Sequence, residues 1–208
     1  GKTEGPKDMW YGDKHVYGGT GMSVAGANLN TKPDSFVEIG TTTELHFKND
    51  KNIFGGKGLE NKGEIDFHSG ETFFTGPLDS SGFMNISDAA QLFFPFLPNN
   101  PEGCQIGGEG MYSEGDLDIQ PMAELYFTGP LSLEGGGFLN ISYGSLVGFG
   151  ELPEGKVHTI GGEGMESFGR VDISPGAEID FAGPCNIEGA GLLNVVSGAG
   201  VEFEALPK

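Results

Sequence analysis

The sequence predicts an all-β chain wound as a single-stranded parallel β-solenoid of about seven coils. Three observations predict it: a long internal repeat, period-two alternation inside every copy, and glycine at fixed places between copies. Residues 127–149, FTGPLSLEGGGFLNISYGSLVGF, align without a gap on residues 181–203, FAGPCNIEGAGLLNVVSGAGVEF. The repeat extends backwards: FTGP recurs at 74–77, and GGKG at 55–58 is echoed by GGEG at 107–110 and 161–164. The super-repeat is therefore 52–54 residues long. Glycine makes up 38 of 208 residues, far above ordinary usage, and it punctuates short apolar runs as turn residues do.

Residues 1–22 read as an N-terminal cap, with Met9, Trp10, Tyr11, Val16 and Tyr17 to plug the first rung. Residues 23–208 read as the solenoid. VEIGTTTELHF (37–47) is the first of seven similar copies, followed by GEIDFHSGETFF, GFMNISDAAQLFF, GDLDIQPMAELYF, GFLNISYGSLVGF, GRVDISPGAEIDF and GLLNVVSGAGVEF. Each holds an apolar–polar–apolar triplet, a turn, and a second alternating run ending in Phe, which is the period-two signature of strands. No segment keeps a helical period. One such unit cannot bury its apolar face alone and must stack on its neighbours. Stacking at about 4.8 Å per coil gives a rod about 35 Å tall.

Stacked copy on copy, the chain is expected to align Phe47, Phe74, Phe94, Phe127, Phe149, Phe181 and Phe203 in one inward column. Each buried Phe contributes about 1.5–3 kcal/mol. Small residues between the two runs, such as Gly70, Ala90, Ala123 and Ala177, mark a tight corner. Three Leu-Pro loops, FLPNNPEGCQ (96–105), GELPEGKVHT (150–159) and EALPK (204–208), are expected to stack on one side of the rod. Proline keeps them out of the ladder. The C-terminal coil carries no evident cap, so another chain or a further domain is expected to cover it.

This repeat style resembles right-handed parallel β-helices such as adhesin and autotransporter passengers and phage tail spikes. The resemblance covers about residues 37–205 and implies a right-handed coil. It brings no catalytic motif with it.

Net charge is −19. Residues 1–62 balance eight Lys against eight acids, whereas residues 63–208 set Lys156, Arg170 and Lys208 against 22 acids. Such a surface repels nucleic acid and anionic lipid and suits a cationic partner or divalent metal. No apolar run reaches the ~18 residues of a membrane helix, so membrane insertion is not expected. Cys104 and Cys185 form neither a disulfide framework nor a metal-ligand pair.

The polar residue of the triplet alternates along the copies: Glu38, Asp66, Asn85, Asp118, Asn140, Asp172, Asn194. As one outward column it relieves charge by placing an amide between carboxylates. The same oxygens, from Asp66 to Asn194, could instead hold Ca2+. His46 and His68 fall on consecutive copies near Glu44 and Glu71, a pattern that fits a transition metal or two surface histidines. Phe73, Phe93 and Tyr126 precede the core Phe in successive copies and face outward, where they could stack on sugar rings or pack against a neighbouring subunit. β-Helix pectinolytic enzymes resemble this architecture and use clustered Asp, but no Asp-Asp pair occurs here. No catalytic residue is assigned and an enzyme is not expected. The sequence favours a structural or adhesive module, extracellular on a cell or virion surface. Its expected partners are copies of itself or other structural chains, with glycan as a further partner. The alternative is a polysaccharide-binding or polysaccharide-cleaving β-helix protein.

Overall fold

Each turn of the chain lays down three short strands, one on each face of a three-sided rod. A computed structural model describes residues 36–41, 44–98, 100 and 103–204, with the short strands His15–Tyr17, Met22–Ala25 and Leu29–Asn30. The described residues hold no helix, and all their strand pairings are parallel. The fold is the expected parallel β-solenoid, of about seven turns. Most of the proposed cap at 1–22 lies outside the described residues.

The first face carries Phe36–Ile39, Gly58–Asn61, Leu78–Ser80, Cys104–Ile106, Glu124–Phe127, Leu146–Phe149, Arg170–Ile173 and Leu192–Val195. These strands begin 20 to 26 residues apart, the length of one turn. The second face runs Phe83–Ile86, Gly110–Ser113, Leu131–Leu133, His158–Ile160, Glu178–Phe181 and Gly200–Phe203. The third runs Ala90–Phe94, Asp116–Ile119, Phe138–Ile141, Gly164–Ser167 and Cys185–Ile187. The long strands Glu44–Phe54 and Glu64–Phe74 serve both the second and the third face, so those two ladders form one sheet.

Alternation puts the apolar side chains inside. Strands such as Asp116–Ile119 and Phe138–Ile141 alternate half-buried with buried positions. The column Leu125, Val147, Val171 is buried throughout on the first face, one rung on the next.

The register differs from copy-on-copy stacking. A super-repeat contains seven strands, which is two turns of three plus one strand. Within a super-repeat, equivalent copies stack directly; between super-repeats, they step to the next face. FTGP at 74–77 therefore ends a third-face strand, FTGP at 127–130 a first-face strand, and FAGP at 181–184 a second-face strand. The expected single Phe column becomes four stacks: Phe47 on Phe67; Phe74 and Phe94 with Phe54; Phe127 and Phe149; Phe181 and Phe203. Six of the seven named phenylalanines are buried, but Phe203 is 59% exposed. It stacks on Phe181 at 4.9 Å, and no described rung lies against its other face.

The same register explains why GGKG/GGEG and FTGP/FAGP travel together. Each GG motif lies under the next turn's GP motif. The nitrogens of Leu59, Met111 and Met165 donate to the carbonyls of Pro77, Pro130 and Pro184, each at 2.8 Å. Gly58, Gly110 and Gly164 have φ of 100°, 87° and 88°. A Cβ on any of them would come within about 2.1 Å of that proline oxygen. Only glycine accepts both the left-handed backbone and the contact.

The first two Leu-Pro loops do not stack on one side. Residues 95–103 connect the third face to the first, and residues 150–157 connect the first to the second. The one-strand step between super-repeats carries these two loops to different corners; residues 205–208 of the third loop lie outside the described residues.

Candidate functional site

The Asp/Asn column is divided by the same step. Asp66 pairs with Asn85 on the second face, Asp118 with Asn140 on the third, and Asp172 with Asn194 on the first. Beyond each pair the column changes chemistry: Asn85 meets Tyr112, Asn140 meets Glu166, and Asp172 meets Gly148. In every pair the Asn Nδ2 donates to an Asp Oδ1, at 3.0, 3.3 and 3.0 Å. Burial pushes the Asp118 carboxyl up, against the pull of the Asn140 amide. Three separate amide–carboxylate pairs on three faces fit charge relief. Asp66, Asn85, Asp118, Asn140, Asp172 and Asn194 therefore do not share the one continuous column expected of them.

Phe73 and Phe93 are neighbours on the third face, stacked at 4.5 Å with 6° between ring planes. Lys51 Nζ lies 4.4 Å from the Phe73 centroid on the adjoining turn. Stacking and a cation–π contact thus occupy this ring, both being favourable in themselves. Tyr126 does not continue the row. It sits on the first face, between Gln105 and Gly148, and its hydroxyl donates to Glu124 Oε2 at 3.0 Å. Burial, together with that bond, pushes the Tyr126 phenol up to about 12.

His46 and His68 do meet. His46 Nδ1 lies 2.6 Å from Asp66 Oδ2 and 3.2 Å from His68 Nε2. The backbone builds this contact with a β-bulge. Phe47 pairs with Phe67 and Lys48 with Ser69, so His68 is the extra residue. Bulges re-aim side chains in this way. Glu71 is not part of the cluster, whose members are His46, Asp66 and His68.

Two features were not read from the sequence. His158 is fully buried, its ring edge-on to Phe149 at 5.0 Å. Its Nδ1 accepts from the Leu131 amide at 3.3 Å, and its Nε2–H donates to the Gly150 carbonyl at 3.0 Å. Burial holds this imidazole below its usual value, although the Gly150 bond pulls the other way. The second feature is an apolar ridge on the third-to-first corner. Phe96, Met122 and Tyr143 are 53%, 57% and 69% exposed on successive turns. Met122 has φ of 66°, the described non-glycine in the left-handed region. Gly144 holds the corresponding corner one turn on, with φ of 75°. Strain of this kind gathers at functional surfaces. The signal in the sequence was the departure from Gly or small residues at Met122.

A groove of about 560 Å³ runs along the first-to-second corner beside Pro153 and Lys156, with Glu64, Phe83, Glu109 and Pro130. Its lining offers carboxylates and one ammonium, with no nucleophile–base pair.

The described chain thus defines a three-faced parallel β-solenoid with an acidic surface. No protein-family model, curated protein or solved structure matches it.

Proposed function

We propose that this protein is a structural or adhesive module of the adhesin, autotransporter-passenger or tail-spike kind, working outside the cell on a cell or virion surface. The observation that carries this reading is the Phe96–Met122–Tyr143 ridge. An apolar strip along one corner of a strongly acidic rod is a contact surface for another chain, because water is released when it is covered. A rod of about seven registered turns holds the strip straight. The partner is a second copy of the chain or another structural protein. The polysaccharide reading has less support, since Phe73 is sandwiched by its own neighbours and Tyr126 stands on another face.

Light scattering at physiological salt, with a glycan screen, tests the proposal. The wild-type protein is expected to be oligomeric and silent towards glycans. Phe96→Ser with Tyr143→Ser is expected to give monomers of unchanged Tm. A monomeric wild type, or an oligomer indifferent to the double substitution, refutes the proposal. Glycan binding lost in Phe73→Ala with Phe93→Ala would favour the polysaccharide alternative.

A further inference from the structure

The His46–Asp66–His68 cluster stands apart from the ridge and from the core. Three ligand-type atoms, His46 Nδ1, Asp66 Oδ2 and His68 Nε2, lie within 4.8 Å of one another. His46 Nδ1 is within bonding reach of both partners, at 2.6 and 3.2 Å. One hydrogen on that nitrogen cannot point at both. A cation placed between the three atoms would meet three lone pairs at once.

We propose that His46, Asp66 and His68 bind one first-row divalent transition metal ion, of the Zn2+ class, between two successive turns of the solenoid.

The donor set selects the ion. Two imidazoles and one carboxylate suit Zn2+, Cu2+ or Ni2+, whereas Ca2+ and Mg2+ ask for six or more oxygens. Metal–ligand bonds of about 2.1 Å in a tetrahedron place the donors about 3.4 Å apart. The observed separation of 3.2 Å is close to that, and the 2.6 Å one has to open by about 0.8 Å as the ion enters. Three protein donors leave the fourth position to water or to a partner's side chain. Both histidines are half-buried, so the ion could enter from solvent.

Two further features point to a ligand. Asn85 Nδ2 donates to Asp66 Oδ1 at 3.0 Å, which fixes the carboxylate and leaves Oδ2 turned to the histidines. Outer-shell hydrogen bonds of this type orient metal ligands. The bulge that brings His68 into the cluster interrupts the ladder between two long strands, and bulges re-aim side chains next to functional sites. On binding, the hydrogen of His46 Nδ1 passes to Nε2 through solvent, a change of tautomer with no net change of charge on the ring.

The ion would tie Glu44–Phe54 to Glu64–Phe74, the longest strands of the rod. Binding to the folded state alone stabilises it by mass action. At Zn2+ one hundred times above Kd the expected rise in Tm is about 5–10 °C.

The test is calorimetric titration of Zn2+ into chelator-treated full-length protein, with Co2+ absorption as a second readout. One ion per chain is expected, together with the intense visible bands of tetrahedral Co2+. His68→Ala is expected to weaken binding more than about a hundredfold, beyond the 10–100-fold that outer-shell losses cost. Asn85→Ala is expected to weaken it about tenfold. His15→Ala is expected to change nothing. Far-ultraviolet circular dichroism shows that each variant is folded. Absence of uptake by the wild type overturns the proposal, leaving only a hydrogen-bonded His–Asp–His group. Uptake that survives His68→Ala, or that vanishes with His15→Ala, overturns it as well.

Discussion

His158→Leu isolates what the buried imidazole does. Leucine keeps most of the volume beside Phe149 but takes away both hydrogen bonds. The Leu131 amide then lacks its acceptor and the Gly150 carbonyl its donor. A buried backbone group left unsatisfied costs about 1–3 kcal/mol, so the pair amounts to about 2–6 kcal/mol. That is a large part of an ordinary domain's stability. Urea denaturation at pH 7.5, followed by circular dichroism, measures it. The pH dependence gives an independent check. Burial depresses His158 in the folded state, whereas the unfolded chain titrates near 6.5. Below that pH the unfolded state binds more protons. The wild type should therefore hold its His158 contribution above pH 6.5 and lose it as the pH falls from 6.5 towards the depressed folded value. His15, His46 and His68 are common to both proteins and cancel in the difference. The gap between wild type and variant should shrink on acidification. A gap below about 1 kcal/mol at pH 7.5, or one that stays constant down to pH 5, would refute the reasoning.

Two other outcomes follow from the same geometry. Gly164→Ala should cost about 2–5 kcal/mol, summing left-handed strain and overpacking, since the added Cβ would sit 2.0 Å from the Pro184 carbonyl oxygen. Gly155→Ala has φ of 78° but no neighbour within 4 Å, and should cost only about 1–2 kcal/mol; equal losses in urea titrations would show that the corner contact is unimportant. The thiols should also separate. Burial raises Cys104 to about 11, and Cys185, partly exposed on the third face, is raised as well. A thiol reagent at pH 8, read by mass spectrometry, should label Cys185 first and Cys104 only on unfolding, and equal rates would contradict the burial argument.

Alternation made the inside and outside of each strand legible before any coordinates. Ile39, Ile65, Leu117 and Val171 point inward as the pattern requires. The Phe endings were legible as core for the same reason. The pairing register was not. The third strand of each turn, such as Leu78–Ser80 or Cys104–Ile106, has only three residues and reads as part of a turn. With that strand uncounted, two-strand copies seem to stack in line. Counting it gives six strands per super-repeat, still in line; a seventh, such as Gly110–Ser113 behind GGEG, shifts successive super-repeats by one face and so separates Phe93 from Tyr126 and Asn85 from Asp118. His46 and His68 escaped this error because their copies are joined by the long strands, which stack directly. The bulge that completes their contact leaves no mark in composition. His158 was opaque for a different reason: it stands in an inward column otherwise filled by residues such as Met111, Leu131 and Ile179, and only three-dimensional pairing shows which backbone groups it serves.

Seven strands per super-repeat and three per turn share no common factor. Inserting or deleting one super-repeat would rotate everything beyond it by a third of a circle while leaving the local packing intact. Three would have to be gained or lost together for a distant surface to point the same way again. Lengthening such a rod by gene duplication therefore redirects its far end, and the compass bearing of a terminal contact is encoded in the number of units counted modulo three.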